Sequence, residues 1–75
     1  MDVLAETIEQ EFTEAGEIPI GFLFASIKNI GNTIAMVNDV PLAAGEAKGY
    51  PFVGKPHNIK SFDPLESRLL VMYVI

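Results

Sequence analysis

Between Ser26 and Glu46 the chain reads S-I-K-N-I-G-N-T-I-A-M-V-N-D-V-P-L-A-A-G-E, short apolar runs broken every few residues. The breaks fall at Asn29, Gly31, Asn32, Asn38, Asp39 and Gly45, residue types that tolerate positive φ or bond their own backbone. The stretch therefore predicts strand, turn, strand, tight turn, short strand and turn. Val37-Asn38-Asp39-Val40 has the form of a two-residue hairpin, because Asn and Asp are the non-glycine residues best suited to a primed turn. The rest of the chain is expected to pack around this punctuated segment.

Size limits what such a segment can support. A chain of 75 residues makes one domain and buries only about 60% of its unfolded surface, so its stability alone is marginal. There is no cysteine, which excludes a disulfide framework and a thiolate zinc site, two usual staples of small folds. Oligomerisation or docking on a partner remains. The chain is 49% hydrophobic, too apolar to be disordered, yet no apolar run approaches the ~20 residues that span a bilayer. The start, Met1-Asp2-Val3-Leu4-Ala5-Glu6, is acidic where a secretory signal needs a basic region. These features predict a protein kept in the cytoplasm or assembled there into something larger.

Charge is unevenly placed. Asp2, Glu6, Glu9, Glu11, Glu14 and Glu17 precede Ile18 without a single Lys or Arg, whereas the remainder of the chain is close to neutral. That distribution argues against direct phosphate binding, which relies on clustered Lys and Arg, and so against a nucleic-acid partner. It suggests an acidic appendage, solvated or facing a basic partner. Residues 2–15 fit an amphipathic helix: Leu4, Ile8 and Phe12 recur at four-residue steps, acids fill the other faces, and Gly16 is placed to stop it. Two uses for that helix stay open, a cover over its own sheet and an arm that docks on a neighbour. In the second case Leu4, Ile8 and Phe12 make the partner contact, with Glu6, Glu9 and Glu11 setting its specificity. The organisation expected is thus an acidic helix or arm over residues 1–17 and a single β domain over residues 18–75.

From Ile18 the apolar period changes to two, with Ile18, Ile20, Phe22 and Phe24 on one side and then Leu23, Ala25 and Ile27 on the other. The switch near Phe24 to Ser26 implies a bulge or a strand buried on both faces. Ile34 to Val37 is again apolar on both sides, so both faces of the sheet are expected to be covered. Pro41 makes Val40-Pro41-Leu42 a short edge strand, since proline cannot donate a ladder hydrogen bond. Ala47 to Val53 is extended, Gly54 to Asn58 a loop, Ile59 to Phe62 a brief strand, and Asp63-Pro64 a turn. Leu69 to Ile75 is an unbroken apolar run and the candidate for a central, fully buried strand that tolerates no truncation.

No pattern of residues carries chemistry. His57 is the only histidine, so a metal or acid–base role lacks the partners such sites need, and an exposed or backbone-bonded loop residue is expected. Gly45-Glu46-Ala47-Lys48-Gly49 lacks the spacing of a phosphate loop. Ser26, Ser61 and Ser67 have no nucleophile elbow. Asp63 and Glu66 read as the polar rim of a turn. Tyr50, Phe52, Phe62 and Tyr73 can line a groove, although core packing is the more frequent explanation for aromatic residues in strands at this spacing. Lys55, Lys60 and Arg68 form a basic spot able to receive a neighbour's acidic arm. The expectation is a non-enzymatic protein with no cofactor, metal or small-molecule substrate.

The segments I-K-N-I-G-N-T (Ile27 to Thr33), V-N-D-V-P-L-A-A-G-E (Val37 to Glu46), Y-P-F-V-G-K-P (Tyr50 to Pro56) and the closing L-L-V-M-Y-V-I resemble small β-rich accessory proteins of tailed-phage virions. The resemblance lies in style and turn placement over roughly the last two thirds of the chain. It implies a multi-copy capsid or tail component, located in the virion after assembly in the host cytoplasm. The fold expected is mainly β, a small antiparallel sandwich or barrel with an acidic N-terminal helix or arm. The function expected is a structural or interaction subunit, a homo-oligomer or part of a larger assembly. Two alternatives are a glycan- or ligand-binding β module using Tyr50, Phe52 and the His57 loop, and an acidic inhibitor of a nucleic-acid-binding protein.

Overall fold

The computed structural model of the protein describes residues 6–75. Eight strands follow one another: β1 (Thr7–Phe12), β2 (Gly16–Ile18), β3 (Phe24–Asn29), β4 (Ala35–Val37), β5 (Val40–Leu42), β6 (Ala47–Tyr50), β7 (Lys60–Asp63) and β8 (Leu69–Val74). They form two antiparallel four-stranded sheets, one ordered β1-β8-β3-β6 and the other β2-β7-β4-β5. The fold is mainly β and sandwich-like, as the punctuation of the chain predicts.

One core lies between the sheets. Ala25, Ile27, Leu69 and Val71 contribute from the first sheet, Ile18, Ala35, Val37, Leu42 and Phe62 from the second, and Phe22 from the approach to β3. Alternation along each strand does this: in β3 and β8, successive residues are buried and half-buried or exposed in turn. Phe12 reaches across from β1 to Phe62 on β7, ring centroids 4.8 Å apart, and so closes one side of the sandwich.

Among the described residues the expected N-terminal helix is not present. Thr7–Phe12 is a strand paired with β8 along its whole length, Thr7 opposite Val74 and Phe12 opposite Leu69, and Glu6 and Ile75 exchange backbone hydrogen bonds beyond it. The physical reason lies in the spacing itself. Steps of four bring residues together on one face of a helix, but four is also even, so Ile8 and Phe12 share a face of a strand equally well. Acids without i to i+4 lysines weaken a helix here, whereas the edge of apolar β8 supplies a full ladder of backbone partners. Leu4 lies outside the described residues. Strand β2 runs through Glu17 and Ile18, so residues on both sides of that position belong to the sheets.

Local turn chemistry is as expected. Asn38 and Asp39 take φ of 51° and 63°, closing the Val37–Val40 hairpin between β4 and β5. Gly45 is at +82°, in the left-handed region that favours glycine. β5 is an edge strand, and Asp63 Oδ1 accepts a hydrogen bond from the Leu65 amide at 2.9 Å in the turn after β7. Two expectations are corrected. The face switch near Phe24 is neither a bulge nor a doubly buried strand: a turn at Ile20-Gly21, with Gly21 at φ +97°, separates β2 from β3 and leaves Ile20 71% exposed. Among the described residues neither sheet is covered on both sides, for Leu70, Met72 and Val74 of the central strand β8 and Met36 of β4 are only half-buried.

The Ser26–Glu46 segment does not stay in one sheet. β3 belongs to the first and the β4–β5 hairpin to the second, and Asn29 marks the crossing. Its side chain is fully buried. Nδ2 donates to the carbonyls of Thr33 (2.8 Å) and Leu42 (2.9 Å), and Oδ1 accepts from the Gly31 amide (3.1 Å) and the Ser67 hydroxyl (2.6 Å). Both donors and both acceptor positions of the amide are thus used, the condition under which a buried polar group stabilises a fold.

Candidate interaction surface

The register decides what each outer face presents. On the first sheet, Glu11–Leu70–Lys28–Ala47 make one cross-strand row, Glu9–Met72–Ser26–Gly49 the next, and Thr7–Val74–Phe24 the third. Leu70, Met72, Val74 and Phe24 thus form a continuous apolar stripe on the side away from the core. None of them belongs to the core or packs against it, and each keeps part of its surface in solvent. The outer face of the second sheet differs. Glu17 lies opposite Ser61, and Asp63 opposite Met36, which lies opposite Pro41. A cleft of about 370 Å³ runs here, lined by Glu17, Asp39, Asp63, Asn38 and Ser61 among others. The second sheet's outer face mixes acids with Met36 and Pro41, while the first carries an unbroken apolar stripe between Glu9, Glu11 and Lys28: water suits the mixed face, and the stripe calls for a cover.

The residues expected to meet a partner are divided by the strand. Phe12 points inward onto Phe62 and packs against the core, and Ile8, partly buried, shares its face of β1 opposite Tyr73. Glu9 and Glu11 point outward beside the apolar stripe, and Glu6 is exposed beside Ile75. Glu11 holds Arg68 at 2.9 Å in an exposed ion pair, worth little to stability.

The basic spot of Lys55, Lys60 and Arg68 is not a single feature. Arg68 pairs with Glu11 of its own chain, and the Lys60 ammonium stands 5.6 Å from the centre of the Tyr50 ring, with Lys48 at 5.8 Å. Such placements are weakly favourable cation–π contacts.

His57 is built into the fold. Its ring stacks on Phe22 at 4.8 Å with an interplanar angle of 11°, Nε2 lies 2.7 Å from the Pro51 carbonyl, and its backbone bonds to Gly21 and Phe22. Tyr50 meets both rings edge-on. Its hydroxyl is buried without a hydrogen-bond partner, and burial raises its pKa. Phe52 is 61% exposed and stands apart from this cluster's packing, so the aromatic residues do not converge on a groove. Among the described residues no group of three His, Asp or Glu side chains is arranged to hold a metal ion, and no helix is long and apolar enough to cross a membrane.

The apolar outer stripe is not distinguishable in the sequence of β8, because an unbroken apolar run such as Leu69 to Ile75 predicts burial on both faces. The signal was present in β3, where Phe24, Ser26 and Lys28 alternate with Ala25, Ile27 and Asn29, a pattern with one dry side only. No protein-family model, curated protein or solved structure matches this chain.

Proposed function

We propose that the protein is a non-enzymatic structural subunit that packs the outer face of its β1-β8-β3-β6 sheet against another protein surface. The observation that carries this reading is the unbroken apolar stripe of Phe24, Leu70, Met72 and Val74 between the charged Glu9, Glu11 and Lys28, whereas the other outer face interleaves Met36 and Pro41 with Glu17, Ser61 and Asp63. Covering four partly exposed apolar side chains is favourable at about 25 cal/mol per Å² of apolar surface removed from water, a gain that matters to a domain of this size. The turn segments between Ile27 and Pro56 that resemble tailed-phage accessory proteins support a repetitive assembly, a capsid or tail in which the same face is covered in every copy.

Site-specific photo-crosslinking in the native assembly tests this. A crosslinker at Met72 is expected to give discrete adducts and one at Ser61, on the polar face, none. Adducts from Ser61 alone, or from neither position, would overturn the reading.

A further inference from the structure

The register of the apolar face points to a particular occupant. Leu70 is flanked in its row by Glu11 on β1 and by Lys28 on β3, an acid on one side of the stripe and a base on the other. With strands ~4.8 Å apart, Glu11 and Lys28 are separated by about 10 Å across the sheet. Within the chain the Glu11 carboxylate reaches Arg68 instead, and among the described residues Lys28 has no carboxylate partner.

We infer that the partner is a second copy of this chain, packed face to face about a two-fold axis running along β8. The inference rests on the reading above that the face is an interaction surface. A rotation about that axis lays β8 on β8, so Leu70, Met72 and Val74 meet their own counterparts. It lays β1 on the other copy's β3, so Glu11 of each copy stands over Lys28 of the other, twice by symmetry. An isologous interface must be complementary to itself, and this row is. The other two-fold in the plane of the face, perpendicular to the strands, places β1 on β1 and brings Glu9 and Glu11 against the same acids of the second copy, which like-charge repulsion opposes. The overlap is three rows across three strands, β1, β8 and β3, with β6 beyond its edge, a face of about 20 Å by 15 Å that is smaller than a standard specific interface, so the dimer is weak and concentration-dependent.

Sedimentation equilibrium of the purified 75-residue chain tests the inference, with circular dichroism confirming that each variant is folded. The wild type is expected to shift with concentration from 8.2 kDa towards twice that mass, and more readily at low salt than at high. Lys28→Glu and Glu11→Lys are each expected to weaken association about tenfold, and the double exchange to recover most of that loss. Ser61→Arg, on the opposite face, is expected to leave it unchanged. A chain that stays monomeric throughout, or a double exchange weaker than both single variants, would overturn the second-copy assignment. If the chain stays monomeric while the Met72 crosslinker still captures another protein in the native assembly, the interaction reading stands and the second copy alone is excluded.

Discussion

The hydroxyl of Ser67 donates to Asn29 Oδ1 across 2.6 Å, joining residues 38 positions apart in the chain. Around that bond three turns converge. The Asn29 backbone bonds to Gly45 and Glu46, its side chain to Gly31, Thr33 and Leu42, and the neighbouring Ile30 amide to the Arg68 carbonyl. Where β3 leaves the first sheet for the second, the amide of Asn29 takes over the pairing that a sheet ladder supplies elsewhere.

Truncating Asn29 should therefore be among the most costly single changes in the protein. Asn29→Ala leaves the buried Leu42 carbonyl and Ser67 hydroxyl, and the part-buried Thr33 carbonyl and Gly31 amide, without this partner, and a loss of about 3 kcal/mol is expected. Ser67→Ala removes one bond and leaves the amide otherwise paired, for a loss of about 1 kcal/mol. Urea denaturation of both variants checks the order; equal losses would show that the network is not centred on Asn29.

Gly31 is held by the same junction. A methyl group there would overlap the Ser67 hydroxyl and lie 2.8 Å from the Arg68 amide nitrogen, so Gly31→Ala is expected to destabilise by about 2 kcal/mol or more. Combining it with Ser67→Ala removes one clash but not the backbone one. The pair should then cost less than the sum of the singles, by a coupling of about 0.5 kcal/mol or more. Strict additivity in denaturation midpoints would contradict this packing.

Tyr50 predicts a pH effect. Burial favours its neutral form and raises the folded-state pKa above the usual tyrosine value near 10. The folded protein then holds the phenolic proton more tightly than the unfolded chain, so this contribution is complete below that value and is lost as pH rises through the raised folded pKa. Tyr50→Phe removes the dependence along with a buried hydroxyl that has no partner. The variant should match or exceed the wild type by up to about 1 kcal/mol at neutral pH, and its advantage should grow at about pH 11. A variant less stable than wild type at both values would mean that the hydroxyl has a stabilising partner.

The Asn38-Asp39 turn stores a small backbone cost, since both residues hold positive φ. Asp39→Gly relieves it at the position where glycine is preferred and should raise stability by about 0.5 kcal/mol, after the entropy that glycine adds to the unfolded chain. Asp39→Val should lower it by about 1 kcal/mol or more. Thermal melting of the two variants would decide, and the same sign for both would refute a steric origin.

What the amino-acid sequence determined is the set of local decisions. Asn38-Asp39 close a hairpin because short polar side chains tolerate the left-handed region, Pro41 makes an edge because it has no amide hydrogen, and alternation in β3 separates Ala25 and Ile27 from Ser26 and Lys28. Each depends on sterics or hydrogen bonding within a few residues, which is why they can be read without a structure. Tertiary structure alone decided the rest. Ile8 and Phe12 suit a helix and a strand alike, and β8 settled the choice by offering a ladder to pair with. Asn29 looks like one turn residue among several until Ser67, Thr33 and Leu42 arrive around it from elsewhere in the chain. An apolar run such as Leu69 to Val74 specifies two dry faces equally, and only the presence of a second sheet on one side, with nothing among the described residues on the other, separates core from outer face. Those outcomes depend on partners distant in sequence, and period and propensity carry no record of distance.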